Sequence, residues 1–181
     1  MAELTPFQTV GPFFEVVMPA PGRSPRNLPG PEVRRILVEG IVRDGSGAPV
    51  PDALIETWQA DASGRYREPG DDPTSFDGFG RIPTDDRGRF ELTTIIPGSV
   101  PGPAGALQAP HLAVGVLARG VLTRLVTRIY FEGEPANQGD PILALVPPER
   151  RETLIARRLG GDRYRFDIVL QGPDETVFFD V

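Results

Sequence analysis

The segment from Leu54 to Arg67 reads Leu-Ile-Glu-Thr-Trp-Gln-Ala-Asp-Ala-Ser-Gly-Arg-Tyr-Arg, and it begins with the alternation of a β-strand. Leu54, Glu56 and Trp58 are expected on one face of a sheet and the intervening residues on the other, because successive strand residues alternate. A polar turn then places Tyr66 just beyond the strand. A tyrosine at such an exit can pack, donate a hydrogen bond, or give a phenolate to a hard metal ion. The segment predicts a β-rich fold and raises the question of further metal ligands.

The composition is typical of a globular protein and indicates neither nucleic-acid binding nor a membrane-spanning segment. The 181 residues suit one domain, or one domain with an arm, and 39% of them are hydrophobic and 24% charged. A net charge of −6 without a basic run argues against nucleic acid as a partner. The sequence has no cysteine, which excludes disulfides and thiolate metal sites, and it has no apolar run of membrane-spanning length and no signal-peptide pattern. We therefore expect a cytoplasmic protein.

The first 33 residues carry apolar side chains without a helical or strand period. Phe7, Phe13 and Phe14 lie between frequent prolines and glycines, which favour an extended segment. Burying an aromatic side chain stabilises a protein by about 1.5–3 kcal/mol, so such an arm is expected to lie on a surface, its own or a partner's. We predict an extended N-terminal arm at residues 1–33 that packs on a partner chain, and a single β-sandwich domain at residues 34–181.

Short strand-like runs follow the arm at regular intervals, separated by turns rich in glycine and proline. Such runs predict an all-β protein in which two sheets pack as a β-sandwich. Pro147 and Glu149 are favourable signals for the start of a helix, so residues 147–156 are predicted as one short helix. The predicted strands cover residues 36–43, 53–59, 89–95, 112–117, 122–131, 164–170 and 176–179, and residues 60–79 are predicted as a long loop.

Five segments, taken in order, resemble the intradiol ring-cleavage dioxygenases. They are residues 54–67, 93–98 (Thr-Thr-Ile-Ile-Pro-Gly), 109–111 (Ala-Pro-His), 128–131 (Arg-Ile-Tyr-Phe) and 164–168 (Tyr-Arg-Phe-Asp-Ile), within a match from about residue 35 to residue 172. Residues 8–12 and 175–180 are similar, more narrowly, to the non-iron α subunit of a two-chain member of the family. The resemblance implies a sandwich fold, an Fe³⁺ ion held by a partner β subunit, and an (αβ)n hetero-oligomer that opens a catechol-type ring with O2.

The iron ligands of the family are two tyrosines and two histidines, and the matching positions can be found in this sequence. Tyr66 matches the first tyrosine and His111 the first histidine, whereas Val100 and Ala113 stand at the other two positions and have no donor atom. His111 is also the only histidine, so a site with two imidazoles cannot be built from this chain. We predict that no metal binds here and that Tyr66 and His111 are vestigial ligand positions joined by a hydrogen bond. Gln108 stands where the catalytic chain has an arginine.

Four residues are predicted, by the same resemblance, to border the iron pocket of the β subunit and to bind the substrate. Thr9, Gly11 and Pro12 belong to the arm, and Arg119 follows a predicted strand. Glycine lets a backbone approach a ligand closely, and arginine supplies positive charge for a carboxylate on the aromatic ring. No catalytic side chain is expected from this chain. Without the resemblance, Arg119 would be interpreted as a solvated residue of a hairpin turn.

Two other interpretations remain open at this point. The chain could be a stand-alone β-sandwich binding module that has lost the catalytic iron, or it could bind iron weakly through Tyr66, His111 and water. Trp58 is predicted as a core residue. Arg124 and Arg128, four residues apart on one predicted strand, are expected to pair with carboxylates at the surface or at an interface.

Overall fold

The computed structural model describes Gly11 and residues 23–180, so Thr9, Pro12 and most of the predicted arm lie outside the described residues. The strands are β1 (Arg35–Arg43), β2 (Leu54–Trp58), β3 (Phe79–Pro83), β4 (Arg89–Ile95), β5 (Val100–Pro101), β6 (Leu107–Gln108), β7 (His111–Leu117), β8 (Leu125–Phe131), β9 (Ile155–Gly160), β10 (Arg163–Arg165) and β11 (Ile168–Val169). Short 3-10 helices cover Pro103–Gly105, Pro135–Gly139, Leu143–Leu145 and Pro148–Leu154. Within residues 23–180, no helix is long and apolar enough to cross a membrane.

Two ladders of hydrogen-bonded strands form the body of the protein, and β9 belongs to both. One ladder has the order β4-β1-β10-β9, with β11 continuing beside β1, and the other has the order β9-β8-β7-β2-β3. Ile155 and Ala156 of β9 pair in parallel with β8, whereas Arg157 and Arg158 pair with β10 in the antiparallel sense. The chain therefore passes from one ladder to the other in the middle of a single strand.

One hydrophobic core is shared by the two ladders. In β1, Ile36, Val38 and Val42 alternate with more exposed positions and are buried, as the period of a strand requires. Phe131 of β8 and Tyr164 of β10 meet edge to face across this core, with their ring centroids 5.2 Å apart. Each buried side chain of this size stabilises the fold by about 1.5–3 kcal/mol, so the contact between the ladders contributes to the stability of the protein. This is the sandwich that the sequence predicts.

The predicted and observed elements differ in several places: β5 and β6 lie where no strand was predicted, and the predicted strand at 164–170 divides into β10 and β11. β3 was not predicted, because glycine and proline interrupt its sequence, and β9 was not predicted, because most of its residues are exposed and do not alternate. The predicted helix at 147–156 is a 3-10 helix that ends at Leu154, where β9 begins. The predicted strand at 176–179 is reduced to a single bridge between Val126 and Phe179.

The last part of the predicted arm contacts the sandwich of its own chain. The backbone of Arg23 exchanges two hydrogen bonds of 2.7 Å with Arg81 of β3. The buried carboxylate of Asp77 accepts hydrogen bonds from the Arg26 backbone N–H at 2.8 Å and from Arg23 Nη1 at 3.0 Å. Burial raises the pKa of Asp77, but these hydrogen bonds outweigh it and hold the pKa below the usual value. Residues 23–26 are thus tied to the folded domain.

Candidate functional site

Tyr66 is carried by the loop that follows β2. Asp61 shapes the loop, since its Oδ1 accepts hydrogen bonds of 2.8 and 3.0 Å from backbone amides two and four residues further on. Gly64 has a φ of 82°, and a Cβ there would lie 2.0 Å from the carbonyl oxygen of Ser99, so only glycine fits. The Tyr66 ring stacks on Trp58 with centroids 6.0 Å apart. Trp58 is 37% exposed, so its prediction as a core residue is wrong: it faces outward and supports Tyr66.

His111 begins β7 and is only 4% exposed. Its Nδ1 lies 2.7 Å from the carbonyl oxygen of Ala109. Because a carbonyl oxygen can only accept, Nδ1 carries the hydrogen and Nε2 is the free acceptor. Within residues 23–180, His111 and Tyr66 share no hydrogen bond, so that prediction is wrong: the imidazole is held by its own backbone and packs 5.5 Å from the Tyr130 ring.

Protonation of His111 links the stability of this chain to pH. Burial lowers the pKa of His111 in the native chain below its ordinary value of 6.5. At pH values between the lowered native pKa and 6.5, the unfolded chain therefore binds a proton that the native chain does not. We expect the free energy of unfolding to fall as the pH is lowered from 7.5 to 5.5, by at most about 1.4 kcal/mol per pH unit.

His111→Asn provides the matched control, because an amide can still donate to the Ala109 carbonyl and no other histidine is present in the sequence. Urea unfolding at a series of pH values should show that this variant lacks the loss of stability between pH 7.5 and 5.5. An unchanged slope in His111→Asn would show that another group causes it.

The two other ligand positions are occupied by hydrocarbon side chains. Val100 of β5 is buried and pairs with Gln108 of β6. Ala113 of β7 lies between Trp58 of β2 and Arg128 of β8 in the ladder. In the part of the chain that the structure describes, no three His, Cys, Asp or Glu side chains are grouped so that they could hold a metal ion. A donor set of one phenol and one imidazole does not fit a stable ferric site.

A partly buried polar network lies beside these positions, and sequence reasoning missed it. Arg128 Nη1 donates to Gln108 Oε1 at 2.6 Å and to the Tyr130 hydroxyl at 3.2 Å, and this hydroxyl donates to Asp140 Oδ1 at 3.1 Å. Asp140 Oδ2 accepts the backbone N–H of Ala109 at 2.7 Å. Within residues 23–180, Arg128 therefore pairs with an amide and a phenol and not with a surface carboxylate, while pairing at an interface stays a prediction. The spacing of Arg128 and Tyr130, two residues apart on one strand, was the available signal.

The network places the charge of Arg128 near the phenols of Tyr66 and Tyr130. Burial raises the pKa of the Tyr66 phenol, and the charge of Arg128 offsets this only in part. Burial likewise raises the pKa of Tyr130. Without a metal ion, both phenols are therefore protonated near neutral pH. Arg124, by contrast, meets the prediction, with its Nε 3.4 Å from a carboxylate oxygen of Glu56.

Arg119 lies in the turn after β7, at the far end of the strand from His111. β7 is 7 residues long, so its two ends are about 20 Å apart at ~3.3 Å per residue. Arg119 Nε donates to Asp52 Oδ2, and both residues line a surface cleft of about 710 Å³. The Arg119 side chain is 56% exposed. The structure thus separates the predicted substrate-binding arginine from the vestigial ligand positions.

Gly11 is the one described residue among the predicted substrate contacts of the arm. Its φ of 71° lies in the left-handed region that favours glycine, and among the described residues no atom lies within 4 Å of the position a Cβ would take. Thr9 and Pro12 are outside the described residues, so their predicted contacts stay predictions.

Residues 23–172 match the protein family described as Dioxygenase, and the chain belongs to that family. It is 42% identical to the protocatechuate 3,4-dioxygenase alpha chain of Burkholderia cepacia, over 98% of this chain and 97% of that one. It is also 39% identical to the protocatechuate 3,4-dioxygenase beta chain of Burkholderia cepacia, over 78% of this chain and 66% of that one. These findings confirm the resemblance that the sequence motifs indicate.

Solved structures agree with this assignment. The dioxygenase domain of a dioxygenase carbohydrate-binding protein fusion from Streptomyces sp. SirexAA-E has 33% identity and a TM-score of 0.61, and the match covers 94% of this chain and 99% of that one. Hydroxyquinol 1,2-dioxygenase from Pseudomonas putida DLL-E4 shares the fold, with 24% identity and a TM-score of 0.64, and the match covers 91% of this chain and 65% of that one. The predicted intradiol-type β-sandwich is therefore confirmed.

Proposed function

We propose that this chain is the non-iron α subunit of a heteromeric protocatechuate 3,4-dioxygenase. Such an enzyme cleaves 3,4-dihydroxybenzoate with O2 to 3-carboxy-cis,cis-muconate. The observation that carries the proposal is the similarity to an alpha chain along nearly the whole length of both proteins. The similarity to a beta chain is lower and covers less of either protein. The incomplete donor set at Tyr66 and His111 supports the same assignment.

The family depends on non-haem iron, and we assign the Fe³⁺ ion to the partner β subunit. When bound there, ferric iron supplies the chelation that activates the catechol ring toward O2. The part of this chain is to bind and to orient the substrate. Arg119 offers a charged, fork-shaped donor to the substrate carboxylate. Thr9, Gly11 and Pro12 of the arm form one wall of the pocket.

Residues 1–22 are the part of the arm that we assign to the β subunit, because residues 23–26 are tied to this chain's own sandwich. Burial of Phe7, Phe13 and Phe14 at the interface would stabilise the pair. An α chain and a β chain that share one fold can associate into αβ pairs and then into an (αβ)n oligomer. We place this assembly in the cytoplasm.

Iron content and ring-cleavage activity test the assignment. The chain is purified alone and after co-expression with a β chain of the same enzyme class. We expect the chain alone to be iron-free and inactive, and the co-purified complex to contain iron and to cleave protocatechuate. Variants of the β chain that lack its iron ligands should lose both iron and activity in the complex, which assigns the metal to that chain.

Two results would contradict the proposal. Stoichiometric iron and activity in the chain alone would show that it has its own catalytic centre. A monodisperse chain that does not associate with the β chain would instead favour the stand-alone binding module.

A further inference from the structure

Arg119 is held by a carboxylate that lies far away in sequence but close in the fold. Asp52 precedes β2 and Arg119 follows β7, and Leu54 and Leu117 at the ends of these two strands are ladder partners. Arg119 Nε donates to Asp52 Oδ2. The Asp52 side chain is only 10% exposed, whereas that of Arg119 is 56% exposed. The buried partner is thus a fixed anchor and the exposed partner is available for a further contact.

The turn that carries Asp52 is itself fixed by Thr84. The Thr84 hydroxyl donates to the Val50 carbonyl at 2.8 Å and accepts the Ala53 backbone N–H at 3.0 Å. The Thr84 backbone N–H also donates to the Ala53 carbonyl at 2.9 Å. The hydroxyl is bonded to residues on both sides of Asp52, so the carboxylate has a defined position before any ligand binds.

Anchoring at Nε leaves the end of the guanidinium group free. Within residues 23–180, the hydrogen bond of the Arg119 side chain goes to Asp52 alone. The two terminal nitrogens can therefore form the paired hydrogen bonds with which arginine binds a planar carboxylate. A free arginine side chain loses rotamer entropy when it is held in one position, and an anchor removes part of that cost before binding.

The other carboxylate of the cleft does not compete for Arg119. Arg119 is the cation among the described residues that line the cleft, and Asp44 and Asp52 are the anions. The carboxylate of Asp44 accepts hydrogen bonds from the backbone amides of Ser46 at 2.9 Å and Ala48 at 3.0 Å, so it belongs to its own turn. Asp52 is therefore the carboxylate that faces Arg119.

We propose that Asp52 is a positioning residue that orients Arg119 toward the substrate carboxylate and thereby sets the preference for a carboxylated catechol. The inference rests on the proposed function, since it requires Arg119 to face the substrate of the β subunit. Asp52 itself touches neither the substrate nor the iron. Its effect is to convert a mobile surface arginine into a preorganised carboxylate receptor.

The test measures KM and kcat of the reconstituted αβ enzyme with protocatechuate and, as substrate or competitive inhibitor, with catechol, which has no carboxylate. Asp52→Ala is expected to raise the KM for protocatechuate roughly 5- to 20-fold and to leave kcat within about twofold, because one charge-assisted contact is weakened. Catechol should be unaffected. Asp52→Asn should lie between wild type and Asp52→Ala, because its amide oxygen can still accept the Nε–H. Glu39→Ala is the matched control, since Glu39 pairs with a similarly exposed arginine, Arg163, elsewhere in the sandwich.

A double-mutant cycle separates positioning from a merely structural role. Asp52→Ala should add nothing to Arg119→Ala, because both act on one contact. Additive effects, an equal loss with catechol, or a lower KM for protocatechuate in Asp52→Ala would each overturn the inference. If Arg119→Ala changes the KM and Asp52→Ala does not, the inference fails while the role of Arg119 stands. If neither variant changes the KM, the role proposed for Arg119 fails as well.

Discussion

Arg119→Ala is expected to raise the KM of the αβ enzyme for protocatechuate roughly 10- to 100-fold, which corresponds to the loss of a charged hydrogen bond of about 1.5–3 kcal/mol. kcat should change much less, because the carboxylate that we propose as the partner of Arg119 takes no part in bond cleavage. The Arg119 side chain is 56% exposed, and within residues 23–180 its one hydrogen bond is made by Nε, so its terminal nitrogens are accessible to the proposed substrate. Steady-state kinetics on the purified complex measure both constants.

Two controls make this result specific. Arg163→Ala removes an arginine of similar exposure that pairs with Glu39, and it should leave both constants near wild type. Arg119→Lys keeps the charge but not the planar fork, and it should recover only part of the affinity. A fall in kcat at constant KM would argue against a binding role for Arg119.

Gly40→Ala is expected to destabilise the chain by about 3 kcal/mol, at the upper end of the usual cost of overpacking. Gly40 lies in β1 opposite Phe90 of β4. A Cβ there would lie 1.8 Å from the Phe166 carbonyl oxygen and 2.6 Å from two atoms of the Phe90 ring. The first of these is a backbone atom, so a side-chain rotation cannot relieve the clash. The adjacent backbone hydrogen bond from Phe166 to Glu39 would have to lengthen as well.

Urea unfolding monitored by tryptophan fluorescence measures this loss as a lower midpoint at an unchanged slope. Gly139→Ala is the matched control, because no atom lies within 4 Å of the Cβ position there, and its midpoint should stay close to wild type. Equal midpoints for Gly40→Ala and wild type would show that the β1 backbone can move away from Phe166.

Two core strands, β1 and β4, could be predicted from the sequence because their side chains alternate. β1 and β4 bury every second residue, and the predicted ranges match the observed ones closely. β9 could not be predicted in this way, because it is held by backbone pairing to two neighbours and exposes most of its side chains. The 3-10 helix at Pro148–Leu154 has the N-terminal signals of an α-helix, but β9 begins directly after it and leaves no room for further turns.

The candidate sites could be predicted in part. The missing donors at Val100 and Ala113 are visible in the sequence, because the identity of a side chain decides whether it can bind a metal. The partners of the remaining polar groups were not visible, because they come from distant segments. Asp140 follows a 3-10 helix and accepts a hydrogen bond from Tyr130. Asp52 and Arg119 form a hydrogen bond at the neighbouring ends of β2 and β7. Such contacts depend on strand register and loop path, which local patterns do not determine.

The strand shared by the two ladders has a consequence for cooperativity. β9 bonds to β8 through Ile155 and Ala156 and to β10 through the residues that follow, so neither ladder can open at this seam without disturbing the other. In a sandwich whose two sheets are joined only by loops, each sheet can open locally without the other. Here the local openings of the two ladders are coupled, because β9 is one continuous backbone shared by both. The two layers are therefore expected to exchange their amide hydrogens as a single unit, with a common protection against solvent.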